Sequence, residues 1–430
     1  MVHARGVIAR GFHRGRLLAG NVQRPFRARR PISLRVSMQL THFDIDKFLR
    51  DYWQKQPLLI KAPWNSWSNP IEPDELAGLA CEEDVESRLI TQARGTWKLE
   101  HGPFAETRFG KLGKAPWTLL VQAVDIHVPD VAALIDPFRF IPNWRIDDVM
   151  VSYATDGGGV GPHFDQYDVF LIQGLGRRRW QVGALCDAAT PLLPHDDLRL
   201  LASFEATDEW ILEPGDILYV PPGIAHNGVA VGDDCMTYSV GFRAPSRSDL
   251  IGQWCDHLLE EMPDDDRYED RFDAASVAAA RANPGEISAS ALERLHAMVT
   301  KKMLDRDAFA RWFGEYNSAP KYPEMDFAPE EPVAADDVRA LVDQRESLSR
   351  NPVSRFSFIR QNAGSVLLFV DGKSFPCSGD TAALVEQLCA QDRITIDPAL
   401  GDVQPAMALL AALVNQGSVS FEDEDADDED

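Results

Sequence analysis

Residues 157–170 read GGGVGPHFDQYDVF. A glycine-rich turn runs here into a segment that carries His163 and Asp165 two positions apart, and in a β-strand residues i and i+2 point to the same face. Read as a strand, the segment sends both side chains, with Tyr167 behind them, into one interior. A third polar residue comes from LEPGDILYVPPGIAHNG, residues 212–228, in which a Pro-Gly-Asp turn opens a short apolar strand and a Pro-Pro-Gly turn presents His226. Two imidazoles and one carboxylate on a single octahedral face leave three positions open, as in non-haem Fe(II) oxygenases. Those positions suit a bidentate 2-oxo acid and O2. One HxD tripeptide says little alone; its glycine lead-in and the second element make a metal site of it. Strand-built barrels hold other metals and run other reactions, so spacing alone leaves the chemistry open.

The text around these elements is a series of short strands between Gly and Pro turns: VMVSYAT, YDVFLIQG, RRWQVG, DEWILEPGDILYVPPG and MTYSVGF. Such spacing predicts a barrel or sandwich. After a glycine turn, GLGRRRWQVG presents three consecutive arginines, and alternation puts the middle one on the opposite face from its neighbours. With Arg178 inward, its planar fork can pair with the distal carboxylate of 2-oxoglutarate, leaving Arg177 and Arg179 to solvent. Without further context, a triple arginine also fits a solvated anion patch.

Composition bounds the rest. A chain of 430 residues is expected to form two or three domains. No apolar run approaches the roughly 20 residues needed to cross a bilayer. The six cysteines, Cys81, Cys186, Cys235, Cys255, Cys377 and Cys389, are scattered without a CxxC pair, which reads as reduced cytoplasmic thiols. The net charge of −24 conceals an asymmetry, because residues 1–37 carry nine arginines and no acid. The remainder is strongly acidic, unsuited to nucleic acid and suited to basic partners, although simple solubility explains it as well.

Five segments follow along the chain. Residues 1–37 are a disordered basic leader, read as an organellar transit peptide, a basic nucleic-acid arm, or the product of an over-long start with Met38 as initiator. Residues 38–246 are mixed, opening on the helical DIDKFLRDYW and EPDELAGLA before the strands. Residues 247–330 turn helical (DLIGQWCDHLLEEM, SALERLHAMVTKKM, RDAFARWFGEY) and end in the linker APKYPEMDFAPEEP. Residues 331–420 read helix, strand, strand, helix, strand, helix, strand, compatible with a winged-helix-like domain. Residues 421–430 are an acidic tail.

Over residues 38 to about 420 the chain resembles the bacterial JmjC-type ribosomal oxygenases, arginine 3-hydroxylases acting on the sixteenth large-subunit ribosomal protein. The resemblance is carried by WRIDDVMVSY, GGGVGPHFDQYDVFLIQGLGRRRWQVG, EPGDILYVPPGIAHNG and YSVGFRAP. It implies a double-stranded β-helix, the JmjC or cupin-type jelly roll, then a helical dimerisation region and a C-terminal winged-helix-like domain. It also implies iron on His163, Asp165 and His226, 2-oxoglutarate on Arg178, a basic ribosomal protein as substrate and a homodimer. The leader and the acidic tail are not part of the family pattern.

Within RIDDVMVSY, alternation puts Asp148, Met150 and Ser152 on one face. An inward Asp148 could accept a substrate guanidinium, with Met150 and the Tyr167 ring flanking its aliphatic stem; the resemblance supports these three, and Ser239 in YSVGF is a further candidate. Alternatively, Asp147 and Asp148 end a helix or turn and Tyr167 fills core. His101, His127, His195, His257 and His296 read as surface or packing residues. The C-terminal helices are acidic or apolar, so direct DNA binding is not expected. Two other functions remain: a JmjC-type hydroxylase or demethylase of another residue, and a non-catalytic ribosome-assembly binding protein.

Overall fold

Burial along the central strands sets the architecture. The computed structural model describes residues 39–422, apart from 94–95, 114, 196, 271–273 and 363, so the leader of 1–37 and residues 423–430 of the acidic tail lie outside the described residues. The first part contains helices α1 (Ile45–Asp51), α2 (Pro73–Leu79) and α3 (Pro129–Ala132). Its strands are β1 (Leu58–Ile60), β2 (Ser87–Ala93), β3 (Thr96–His101), β4 (Trp117–Val121), β5 (Ile146–Ala154), β6 (Val169–Leu175), β7 (Arg178–Leu185), β8 (Asp208–Leu212), β9 (Ile217–Val220), β10 (Ile224–Ala230) and β11 (Cys235–Phe242). They form an eight-stranded antiparallel sheet, ordered β1-β9-β6-β11-β5-β4-β2-β3, and a three-stranded sheet, β10-β7-β8.

Each face of the large sheet has its own core. Phe170 and Ile172 of β6 join Val149 and Val151 of β5 and Tyr219 of β9 in a layer against the N-terminal helices, where Phe48 of α1 packs edge-on to Tyr219 with ring centroids 4.9 Å apart. The alternate residues Val169 and Leu171 meet Trp180, Val182, Leu212, Leu218 and Val220 in a second layer between the two sheets. Each such apolar side chain contributes about 1.5–3 kcal/mol on full burial. The strand alternation read from sequence therefore resolves into a barrel whose interior is this second layer, the expected jelly roll.

Four helices follow: α4 (Arg247–Glu261), α5 (Ala274–Ala282), α6 (Ala289–Met303) and α7 (Arg306–Ser318). Ser246, Ser288 and Asp305 cap α4, α6 and α7 by accepting backbone N–H groups. Trp254 and Leu258 of α4 pack on Trp312 of α7, but no residue of α6 is buried among the described ones. The alanine-rich α5 was not expected, because its run lacks a polar–apolar period.

The last part comprises α8 (Ala335–Asp343), β12 (Ser347–Arg350), β13 (Phe356–Arg360), β14 (Ser365–Val370), β15 (Lys373–Ser378), α9 (Asp380–Ala390), β16 (Arg393–Thr395), α10 (Gln404–Asn415) and β17 (Val419–Glu422). Two strands exceed the expected order. β12 is four residues of SLSR that pair with β16 and β17, and β15 is a proline-bearing edge strand on β14. Proline is tolerated there because an edge strand leaves half its N–H groups unpaired. Phe421 and Glu422, read as tail, belong to β17. Gly314 of α7 lies against the Phe369 ring of β14, where a Cβ would come within 2.3 Å, so α7 rests on the β13–β15 sheet.

Candidate metal centre

His163 and Asp165 do not lie on a regular strand, contrary to the expectation; the segment between β5 and β6 is irregular and β6 begins only at Val169. What brings the ligands together is a pair of backbone bonds. His163 N–H donates to His226 O at 3.0 Å and His226 N–H to His163 O at 2.8 Å, an isolated bridge that lays the segment against β10. Gly161, at φ +86°, makes the turn into it, and its carbonyl accepts from His163 Nδ1 at 2.8 Å. Ile224 O accepts likewise from His226 Nδ1 at 3.0 Å. Since a carbonyl only accepts, each Nδ1 carries a proton, and Nε2 is the ring nitrogen turned to the metal position.

Asp165 is fixed by the Pro-Pro-Gly turn, whose Gly223 N–H donates to Asp165 O at 2.7 Å. Its Oδ2 lies 3.9 Å from His163 Nε2 and 3.6 Å from His226 Nε2, and the three ligand atoms all fall within 4.8 Å of one another. Burial, then the neighbouring His163, brings the His226 imidazole down to about 4 against the pull of Asp165, so it is neutral at physiological pH, the form that ligates. The earlier Pro-Gly-Asp turn is braced by Asp216, which accepts from Glu213 N at 2.8 Å and Ala62 N at 3.0 Å.

Arg178 opens β7 and points inward, as alternation predicts. It is 3% exposed, and its Nε and Nη2 are buried without a hydrogen-bond partner among the described residues. The guanidinium carbon lies 5.8 Å from the Trp180 ring, which is itself 5.9 Å from the His226 ring. Arg177 is exposed, but Arg179 is half-buried with its Nε unsatisfied, so its solvent placement holds only in part. A donor set of two imidazoles and a carboxylate, beside a buried guanidinium unpaired among the described residues, fits an Fe(II) ion and a carboxylate-bearing co-substrate. Trp180 and Gly228 escaped the sequence reading. Gly228 faces Trp180 across β7 and β10, and a Cβ on it would meet that ring at 2.6 Å. The alternation that selects Arg178 also selects Trp180, so the signal was present.

The other candidates converge on the same interior. Asp148 and Ser152 are buried on β5, Met150 between them is half-buried, and Val149 and Val151 turn to the opposite core. This excludes a turn at Asp147–Asp148. Ser239 of β11 sits opposite Met150. Tyr167 is 42% exposed and so does not fill core; burial of its hydroxyl end, then the carboxylates of Asp165 and Asp148, hold its phenol above the ordinary value. Two further residues reach Asp148, Gln122 at 2.7 Å and Lys321 at 2.6 Å. Neither has a sequence signal, since Lys321 lies 173 positions away in the presumed linker.

A JmjC domain profile matches residues 133–250, and a ROXA-like winged-helix profile matches residues 300–420. The chain is 41% identical over 379 residues to the ribosomal protein uL16 3-hydroxylase of Escherichia coli, covering 87% of this chain and 97% of that one. It is 39% identical over 275 residues to a probable ribosomal oxygenase of Haemophilus influenzae, covering 63% and 67% of the two chains. The structure superposes with a TM-score of 0.77 on the Escherichia coli ribosomal oxygenase YcfD in complex with cobalt and 2-oxoglutarate, at 38% identity over 90% of this chain and all of that one. The chain belongs to the JmjC-domain ribosomal oxygenase family.

Proposed function

We propose that this chain is an Fe(II)- and 2-oxoglutarate-dependent oxygenase that hydroxylates Cβ of an arginine in a large-subunit ribosomal protein of the uL16 type, with iron on His163, Asp165 and His226. The observation that carries the reading is Arg178, a buried guanidinium without a counter-ion among the described residues, beside a His/Asp/His cluster. The comparisons support the remainder, through the name of the Escherichia coli uL16 3-hydroxylase and the complex of the Escherichia coli ribosomal oxygenase YcfD with cobalt and 2-oxoglutarate. When bound, Fe(II) with 2-oxoglutarate and O2 supplies the oxidation of an unactivated C–H bond, with succinate as co-product.

The chain's own residues position and enclose. Arg178 takes the distal carboxylate of 2-oxoglutarate, and Trp180 with the apolar inter-sheet layer keeps water from that side. Asp148 receives the substrate guanidinium, Met150 and the Tyr167 ring line its stem, and Ser239 offers a hydroxyl across from Met150. Holding the side chain at its far end fixes which carbon meets the metal, the positioning contribution to rate. Leu292 and Val299 of α6 are 61% and 60% exposed, and this uncovered apolar face supports a homodimer built on the helical region. The acidic first turn of α8 and the apolar α9 support a protein-contact role over direct DNA binding. Six free cysteines and a ribosomal substrate fit a cytoplasmic enzyme; among the described residues no helix is long and apolar enough to cross a membrane.

The test is succinate release with arginine-bearing and histidine-bearing ribosomal peptides, on the wild type and Asp165→Ala. Turnover with the arginine peptide alone, lost in the variant, is expected. Turnover only with the histidine peptide moves the substrate to another residue, and a wild type that neither binds iron nor consumes 2-oxoglutarate leaves a binding protein.

A further inference from the structure

The carboxylate of Asp148 is already half engaged. Its Oδ2 accepts from Lys321 Nζ at 2.6 Å and from Gln122 Nε2 at 2.7 Å, so both lone pairs of that oxygen are taken. Its Oδ1 accepts no hydrogen bond among the described residues. Gln122 is oriented in turn by Arg88, whose Nη2 donates to its Oε1 at 3.0 Å and lies 3.8 Å from Met150 Sδ.

Lys321 reaches this place from the segment that joins α7 to α8, whose start is held beside the barrel by Asn317 of α7 and by Arg355, which donates from Nη1 to Ala319 O at 3.3 Å. Asn317 Nδ2 donates to Trp144 O at 3.4 Å, and Arg355 Nη2 pairs with Asp147 Oδ1 at 3.2 Å. Arg243 Nε also pairs with Asp147 Oδ1, at 3.3 Å. Asp147 is thus balanced by two arginines and lies 3.5 Å from Lys321 Nζ, farther than Asp148 does. The lysine charge is directed at Asp148. Tyr322, the next residue, has a buried hydroxyl with no partner among the described residues.

We propose that Lys321 determines specificity in the substrate pocket by occupying Asp148 Oδ2, so that the substrate cation is offered Oδ1 alone. The inference rests on the reading above that Asp148 receives the substrate arginine. The guanidinium then docks through one carboxylate oxygen instead of as a two-point fork, which fixes its direction at some expense of affinity. Two cations share one buried carboxylate. A guanidinium spreads its charge over a plane and tolerates this neighbour, whereas the compact ammonium of a lysine would place a second point charge beside Nζ. The same contact that weakens arginine binding excludes lysine more strongly.

The experiment measures binding of a fluorescein-labelled basic peptide carrying a single arginine, and its lysine and citrulline counterparts, to the full chain loaded with Mn(II) and 2-oxoglutarate. Lys321→Met is expected to bind the arginine peptide roughly tenfold more tightly and the lysine peptide more tightly still, so that the arginine-over-lysine ratio falls. Lys321→Gln, which keeps a donor for Oδ2 without the charge, should shift both affinities the same way and serves if the Met variant fails to fold. Lys321→Arg should stay near the wild type. Unchanged or weaker arginine binding in the folded Met or Gln variant, with the ratio kept, overturns the proposal. Asp148→Asn separates the two readings, because it should abolish the preference for arginine over citrulline. If that preference survives, Asp148 is not the arginine site at all.

Discussion

Arg178→Met should make the protein more stable and useless for its co-substrate at once. Among the described residues, Arg178 Nε and Nη2 are buried without acceptors, and an unsatisfied buried polar group costs about 1–3 kcal/mol. The contact with the Trp180 face, 5.8 Å from the guanidinium carbon, returns about 0.5–2 kcal/mol. Methionine has similar reach and no polar atoms, so the net gain for the variant is on the order of 1 kcal/mol. That corresponds to a rise in Tm of about 1–2 °C for a unit spanning Ser37–Ala426. With 2-oxoglutarate the sign reverses. Charge-assisted hydrogen bonds contribute about 1.5–3 kcal/mol each, and losing a bidentate pair should weaken binding by about 10²- to 10⁴-fold. Differential scanning fluorimetry with Mn(II), with and without 2-oxoglutarate, reads both effects in one series. A variant that melts below the wild type and keeps the full 2-oxoglutarate shift would refute the reasoning.

Other outcomes follow from single contacts. Gly228→Ala drives a methyl to 2.6 Å from the Trp180 ring beside His226, so it should lower stability by about 1–3 kcal/mol and reduce metal affinity; equilibrium unfolding and Mn(II) titration check the pair. Asp125, buried under β5 and accepting from Val149 N at 2.7 Å, is pushed up from 3.8 to about 7, chiefly by burial. Its folded pKa is raised, so the folded chain binds the extra proton: this contribution to stability is full below about pH 4 and lost as pH rises through about 7. Asp125→Asn keeps the acceptor and should match the wild type near pH 4 yet exceed it above pH 7, by at most about 4 kcal/mol; a difference that does not change with pH in urea titrations contradicts the assignment. Leu292→Glu with Val299→Glu should convert a dimer to monomer in sedimentation velocity without loss of helicity.

The barrel was legible because both of its faces are buried in alternating register, and alternation is a local property. Arg178, Asp148 and Met150 came from that rule and lie where it puts them. His163 and Asp165 converge for a reason the rule did not contain: a backbone bridge to His226, formed only when the chain has closed on itself. The helix α5 and the strands β12 and β15 were missed because an unbroken alanine run, a four-residue strand and a proline-bearing edge strand carry weak periodicity. Lys321 was unreadable in principle. Proline-flanked text between two helices looks like a linker, and nothing local distinguishes a lysine that reaches solvent from one that meets a carboxylate 173 positions away.

The central claim meets its most direct test in mass spectrometry of uL16 incubated with the iron-loaded wild type, 2-oxoglutarate and O2, beside a parallel reaction with Asp165→Ala. The expected result is the mass of one added oxygen on an arginine, placed at Cβ by fragmentation and NMR, from the wild type alone. An unmodified arginine, oxygen carried only by another residue type, or equal product from the variant would contradict the account.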